Sequence, residues 1–298
     1  MLDFRHETFR MLCRHGNYAK TAEALHITQP AVSQHIQYLE QWYQVKLIAE
    51  KGKRFSLSPA GKELLLFIQA CDSGLSALEQ RMQTSNSPSQ QIIIGATRSI
   101  GECILPDIIA NSLRIHENVD FRLVIDNTNI LLDKLQEGEI HFALLEGYFD
   151  ASLYESILFS NEEFIGVCSP TNSLANREIL FSDLLDQRQI VREKGSGSRE
   201  IYEEILHENY LNLWQFPRLI EVNNLASIKK LVAKHAGITF LYQFSAKDEL
   251  LSGNFVQLRI KDFLAMRKLH FVYPKNSLTD IDYLFWFHEF LKIYQSPL

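Results

Sequence analysis

The chain has 298 residues, 46% of them hydrophobic, and a formal net charge of −6. That length holds two or three compact units with sizeable cores. The charge is uneven: residues 1–62 carry nine Lys and Arg against five Asp and Glu, the remainder 21 against 31, so a head of +4 sits on a body of −10. A basic head on an acidic body suits a protein that touches a polyanion such as DNA with one end only. Cys13, Cys71, Cys103 and Cys168 are far apart and form no Cys-x-x-Cys, which predicts reduced thiols rather than disulfides or metal ligands. No run approaches the roughly 18 apolar residues of a membrane span, and the N-terminus is charged within its first few residues. A cytoplasmic protein without membrane contact is expected.

A first helix is predicted over residues 3–15, ending at Gly16, with Phe9, Leu12 and Cys13 inward. Asn17 can N-cap a second helix whose apolar side is Ala19, Ala22 and Leu25. His26-Ile27-Thr28 is a tight connection. Thr28 can cap a third helix, with Pro30 in its first turn, where a missing N–H costs nothing. There Val32, Ile36 and Leu39 repeat at spacings of four and three as a buried stripe, and Gln29, Ser33, Gln34 and Gln37 fall off it. Solvated helix faces usually carry Lys and Glu; this one carries amides and hydroxyls. The pattern is a helix-turn-helix whose second helix suits base edges in a major groove. Two strand-like runs then flank Lys51-Gly52-Lys53-Arg54, a basic turn that makes a wing over phosphates. The candidate DNA contacts are Thr28, Gln29, Pro30, Ala31, Ser33 and Gln34 in the helix and Lys51, Lys53 and Arg54 in the wing.

This segment resembles the N-terminal winged helix-turn-helix of LysR-type transcriptional regulators. The shared residues are Gly16-Asn17-Tyr18, Ala22-Glu23-x-Leu25, Thr28-Gln29-Pro30-Ala31-Val32-Ser33, Leu39-Glu40 and Leu57-Ser58-x-Ala60-Gly61, in fixed order. Thr21 departs from the usual alanine and Ile48 from the usual phenylalanine, changes that the surrounding core is expected to absorb.

Ser58 can cap a long helix with Pro59 at its first position. Leu64, Ile68, Cys71, Leu75, Leu78 and Met82 alternate spacings of four and three, the seam of a coiled coil, and a second copy of the chain is the simplest partner. The resemblance agrees, since this helix is the family's dimerising linker, and it implies a dimer or tetramer. The polar run at 84–90 reads as a hinge. From Gln91 strands and helices alternate. Strands are expected at 92–95, 120–126, 142–145, 164–168, 189–191, 218–222, 238–241 and 269–273; helices at 100–113, 130–137, 198–209, 225–234 and 281–294. This is a βαβαβ unit followed by a second, implying mainly parallel sheet, with the last strand and helix returning to the first unit. The body resembles the two-lobed, periplasmic-binding-protein-like effector domain of the same family. The matching residues are Asn127-Thr128, Leu135-x-x-Gly138-Glu139-Ile140 and Ile228 to Gly237 followed by Ile238-Thr239-Phe240-Leu241. His141 stands where aspartate is common, and His235 where glycine is common.

The fold class expected is therefore multidomain α/β. A winged helix-turn-helix spans 1–60, a linker helix 58–84, a hinge 85–90 and an effector-binding domain 91–298. Lobe I of that domain takes 91–162 and 267–298, and lobe II takes 163–266. Ligands of such sheets bind beyond the carboxyl ends of the strands. Thr97, Arg98 and Ser99 follow one strand and Asn127 and Thr128 another. In Arg192-Glu193-Lys194-Gly195-Ser196-Gly197-Ser198-Arg199, Ser196, Gly197 and Ser198 offer hydroxyls and a close backbone turn, and Arg199 a planar fork for an oxyanion. Together they suggest a polar cleft for a small anion, and family members bind co-inducers at corresponding turns. No nucleophile elbow, metal triad, P-loop or dinucleotide fingerprint is present in the sequence, so no catalytic residue, metal or cofactor is expected. The leading reading is a regulator that binds double-stranded promoter DNA under control of that ligand. The rival is a solute-binding or enzymatic α/β body with an accessory dimerising head.

Overall fold

The computed structural model describes residues 2–49, 55–83, 90–147, 149, 153–275 and 281–296. The head begins with α1 (Phe4–His15), capped by Asp3, whose carboxylate accepts from the Arg5 N–H at 2.9 Å, and closed by Gly16 in a left-handed conformation. In α2 (Tyr18–Ala24) the Asn17 side chain accepts from the Ala19 and Lys20 N–H groups at 2.8 and 3.1 Å. Its inward face differs from the expected one. Ala19 is exposed in the capped first turn, and Thr21 is buried with Ala22. The Thr21 hydroxyl donates to the Asn17 carbonyl at 2.8 Å, so a polar residue sits in the interior without an unpaired group. In α3 (Gln29–Tyr43) the Thr28 hydroxyl accepts from the Ala31 N–H, and Val32, Ile36 and Leu39 are buried. Ile36 and Leu39 pack with Phe9 and Leu12 of α1, Leu47, and Leu65 and Ile68 of α4 (Pro59–Gln83). The Ser58 hydroxyl accepts from the Gly61 N–H at 2.9 Å, starting α4. A side chain at Gly61 would overlap the Leu47 carbonyl, so glycine is what lets α4 lie this close.

The body begins β1 (Gln90–Ala96), α5 (Arg98–Cys103), α6 (Leu105–Ile115), β2 (Val119–Ile125), α7 (Thr128–Gln136), β3 (Phe142–Glu146). The single helix expected over 100–113 is thus two. Pro106, in the first turn of α6, has no N–H to continue the ladder from α5. β4 (Tyr154–Cys168) follows, three times longer than the expected strand; its first half is only partly buried and lacks the apolar run by which a buried strand is read. Next come β5 (Glu178–Ile179), β6 (Gln189–Val191), α8 (Gly197–Glu208), β7 (Leu219–Glu221), α9 (Leu225–Ala233) and β8 (Thr239–Tyr242). The chain closes with α10 (Gln243–Leu251), β9 (Val256–Gln257), β10 (Arg259–Ile260), β11 (Met266–Pro274) and α11 (Tyr283–Gln295).

The main sheet runs β2-β1-β3-β11-β4-β8, with β9 also on β4. It is more mixed than expected: β1 is parallel to β2 and β3, and β6 to β7, whereas β11 and β4 are antiparallel to their neighbours. β4 pairs with β11 up to Glu163 and with β8 from Phe164, so β4 belongs to both lobes and changes partner between those two residues. On lobe I, α11 returns to the start of the body: Trp286 and Phe290 meet Phe121, and Phe290 meets Phe142. The head rests on the same lobe. Arg14 pairs with Asp133 at 3.1 Å and with Glu137 at 2.6 Å, at the C-terminal half of α7.

Candidate ligand cleft and nucleic-acid interface

In the head, Thr28, Gln29, Pro30 and Gln34 are exposed, and Ala31 and Ser33 are half-buried at the rim of the α3 stripe. The face opposite Val32, Ile36 and Leu39 is free to enter a groove. An Ile48–Leu57 bridge forms the base of the wing. Lys51, Lys53 and Arg54 lie outside the described residues.

The coiled-coil seam is divided. Ile68 is 1% exposed and Leu64 half-buried, both against the head's own core, because α1 lies across the start of α4 and presents Phe9 and Leu12 to it. Cys71 is intermediate. Leu75, Leu78 and Met82 are exposed, Met82 at 70%. The exposed part of the apolar stripe therefore begins at about the middle of the helix.

In the body, the carboxyl ends of β1, β2, β3 and β6 converge. Thr97, Arg98, Asn127, Thr128, Ser196 and Gly197 line one cavity together with Asp126, Glu146, Arg192 and Glu193. The lobes meet across it: the Ser99 and Ser198 hydroxyls are 3.2 Å apart, and Arg98 Nη1 donates to the Asn223 carbonyl at 3.2 Å. About 10 Å³ of free space remains, room for one water. The cleft is closed. Asn127 caps α7 by accepting from the Ile130 N–H at 3.1 Å, and the Thr128 hydroxyl donates to the Glu146 carbonyl at 3.2 Å. Ser196 makes no side-chain cap bond, so the first turn of α8 has no side-chain partner from its own cap.

Arg199 is not part of this lining. Its Nε donates to Glu203 at 2.7 Å, and its Nη1 to Glu221 at 2.6 Å and to the Arg192 carbonyl at 3.1 Å. Two carboxylates and a carbonyl engage its Nε and Nη1, so it braces the loop from behind. The guanidinium that this loop brings to the cleft, beside Arg98 from lobe I, is Arg192, held by Glu193 through paired bonds of 2.8 and 3.0 Å. Its signal was its place directly after β6. Sequence reasoning also missed Glu146, the last residue of β3 and directly after the apolar run Phe142-Ala143-Leu144-Leu145. The strand-end rule that points to Thr97 and Asn127 points to Glu146 equally.

Glu146 is 2% exposed. The Ser198 hydroxyl lies 3.5 Å from its Oε1, and Oε2 has no hydrogen-bond partner. The hydroxyls of Thr97 and Tyr242 approach the same carboxyl without reaching good hydrogen-bond geometry, and both are buried without partners. Burial pushes the carboxyl up to about 7, against the opposing pull of the Tyr242 hydroxyl, the Arg192 charge and the hydroxyls of Ser198 and Thr97. Gly197 permits the contact, since a Cβ there would stand 3.3 Å from Glu146 Cγ.

Both unusual histidines find roles in the framework. His141 Nδ1 accepts from the Ile93 N–H at 3.0 Å, as an aspartate oxygen would, and burial holds its pKa down at about 4. His235 has φ of +60°, the left-handed region where glycine is favoured, and its Nδ1 lies 2.9 Å from the Thr171 hydroxyl. Among the described residues, no group of three or more His, Cys, Asp or Glu is placed to hold a metal, and no helix is long and apolar enough to cross a membrane.

A helix-turn-helix head joined by a helix to a two-lobed α/β body with a polar cleft defines a ligand-responsive DNA-binding regulator. The chain belongs to the LysR family: the profile described as "Bacterial regulatory helix-turn-helix protein, lysR family" matches residues 5–62, and that described as "LysR substrate binding domain" matches residues 85–293. It is a transcriptional regulator and not an enzyme. It is 26% identical over 276 residues to the HTH-type transcriptional regulator CysL of Bacillus subtilis, covering 90% of this chain and 89% of that one. Among solved structures, a Corynebacterium glutamicum OxyR C206 mutant superposes with a TM-score of 0.61 at 20% identity, covering 98% of this chain and 91% of that one. The Synechocystis PCC6803 CcmR regulatory domain in complex with 2-PG superposes with a TM-score of 0.62 at 16% identity, covering 70% of this chain and 98% of that one.

Proposed function

We propose that the effector is a small anion bound in the inter-lobe cleft, and that it controls how the paired heads of a cytoplasmic dimer or tetramer sit on promoter DNA. The observation that carries this reading is a cluster of hydroxyl and guanidinium donors in and beside one small cavity. The Thr97 and Tyr242 hydroxyls lack partners, Ser99 and Ser198 meet there, and Arg98 and Arg192 border it. The α8 N-terminus adds partial positive charge. The relative solved with 2-PG supports the use of this fold for a small ligand. Because the lobes touch, binding requires them to part and reclose, and the reclosed geometry passes through β4 and β11 to the rest of the body.

Calorimetry with a panel of carboxylates, phosphate esters and inorganic oxyanions tests the reading. Arg192→Ala is expected to weaken the best anion at least about tenfold, the loss of one charge-assisted contact. Arg199→Ala is expected to lower the melting temperature of the protein while leaving anion affinity within about twofold once folded. A neutral or cationic metabolite as the best binder overturns the assignment.

A further inference from the structure

Around the cleft, one group has the wrong chemistry for an anion site. Glu146 stands among the donors of Thr97, Tyr242, Ser198 and Arg192, with Oε2 buried and unpartnered. Any anion that satisfies those donors brings its oxygens against this carboxyl. As a carboxylate, Glu146 repels the anion in a water-poor cavity; as a carboxylic acid, it becomes one more donor.

We propose that Glu146 binds the anionic effector in its protonated form, donating a hydrogen bond to the ligand, so that at alkaline pH each anion bound takes up one proton from solvent. This rests on the anion reading of the cleft and specifies which residue sets its selectivity. The carboxyl's own titration near 7 makes the acid form accessible at neutral pH. Burial outweighs the pull of the Arg192 charge toward the ionised form, and Glu193 engages Nε and Nη2 of that guanidinium.

The neighbouring titratable and charged groups do not supply the same signal. Arg98 and Asp126 come from the strand ends of lobe I, and Arg192 and Glu193 from lobe II. Against the upward push of burial, hydrogen bonds from Arg192 hold the Glu193 carboxyl below the usual range, so it stays ionised at neutral pH. Tyr242 is pushed up by burial and by Glu146 itself, and Arg267 and Glu162 act on it in opposite directions. On β11, Leu269 is the register partner of Glu146, flanked by Lys268 and His270. Burial and then Lys268 lower the His270 pKa, so that ring is neutral above pH 7.

Sulfate is the probe, since it does not itself titrate near neutrality. Its affinity for the full chain is measured by calorimetry from about pH 6 to about pH 9, for wild type and Glu146→Gln, alongside the organic anions of the panel. Wild-type affinity is expected to fall about tenfold per pH unit above 7, the slope of one linked proton. Glu146→Gln keeps a donor at the same place, so it is expected to bind with little pH dependence. Equal wild-type affinity across the range, affinity that rises with pH, or an undiminished slope in Glu146→Gln removes the proton linkage and leaves the anion reading standing. If sulfate and every organic anion fail to bind either protein at any pH, the anion reading fails and the proton linkage with it.

Discussion

Single side chains in this protein are decided by whether a polar group keeps a partner once buried. Thr21 replaces an apolar residue at no hydrogen-bond cost because a carbonyl lies within reach. His141 replaces an aspartate by offering a ring nitrogen to the Ile93 amide, which requires the neutral ring. An unfolded histidine takes its proton below about 6.5, and this one not until about 4. The unfolded state therefore binds more protons between those values, and stability falls as pH drops through that window, by about 3 kcal/mol at its foot. His141→Asn keeps an acceptor and does not titrate, so urea unfolding near pH 7 and near pH 4.5 is expected to show a smaller acid loss than wild type. The contrast of Arg192 with Arg199 has the same logic. Both are arginines of one loop, but only Arg192 lines the cleft; Arg199 is held by Glu203, Glu221 and a carbonyl.

Among the elements, α3 and α4 are the ones we propose as interfaces. Gln34 projects from the exposed side of α3, where an amide pairs two-pronged with adenine for roughly 1–3 kcal/mol of discrimination. Gln34→Ala is expected to relax base preference in a site-selection assay at unchanged salt dependence. Lys53→Ala, in the basic run Lys51-Gly52-Lys53-Arg54, is expected to weaken all DNA alike and to flatten the salt slope by about one unit. Measured slopes that exchange these two effects overturn the division. On α4, the exposed stretch at Leu75, Leu78 and Met82 is continuous with a buried one at Leu65 and Ile68. Leu75→Glu with Leu78→Glu leaves the head core untouched and is expected to halve the assembly mass in light scattering. An unchanged mass places the stripe's partner within the chain. The long strands β4 and β11 are elements of a different kind: β4 extends through the junction of the lobes and β11 begins at it, with a register shift between Leu269 and His270 of β11.

For the whole molecule, closure of lobe I depends on a segment far from it in sequence. Phe290 is fully buried between Phe121, Phe142 and Trp286, joining the C-terminal helix to strands β2 and β3. Phe290→Ala is expected to cost about 3–5 kcal/mol of stability by denaturant titration, the usual loss for an aromatic cavity in a core. A loss under about 1 kcal/mol would mean that the helix is a detachable cover. The ion pairs of Arg14 with Asp133 and Glu137 join head to body at the surface, and exposed pairs of this kind contribute little each. They set orientation more than stability.

The amino-acid sequence by itself determined the head, because its signals are local. Asn17, Thr28 and Ser58 cap helices within three residues of themselves, and the Val32-Ile36-Leu39 stripe repeats within two turns. It also placed most of the loops that form the cleft, since strand ends are marked by capping residues. What it did not determine is which side chains of those loops face one another. Glu146 acquires its character from Ser198 and Arg192, some fifty residues away, and from Tyr242, almost a hundred away. Burial by both lobes, and not any neighbour in sequence, makes it an acid near neutrality. The division of α4 between core and surface, the length of β4 and the choice of Arg192 over Arg199 have the same origin. Each depends on an element that arrives from elsewhere in the chain, and only the tertiary structure brings it there.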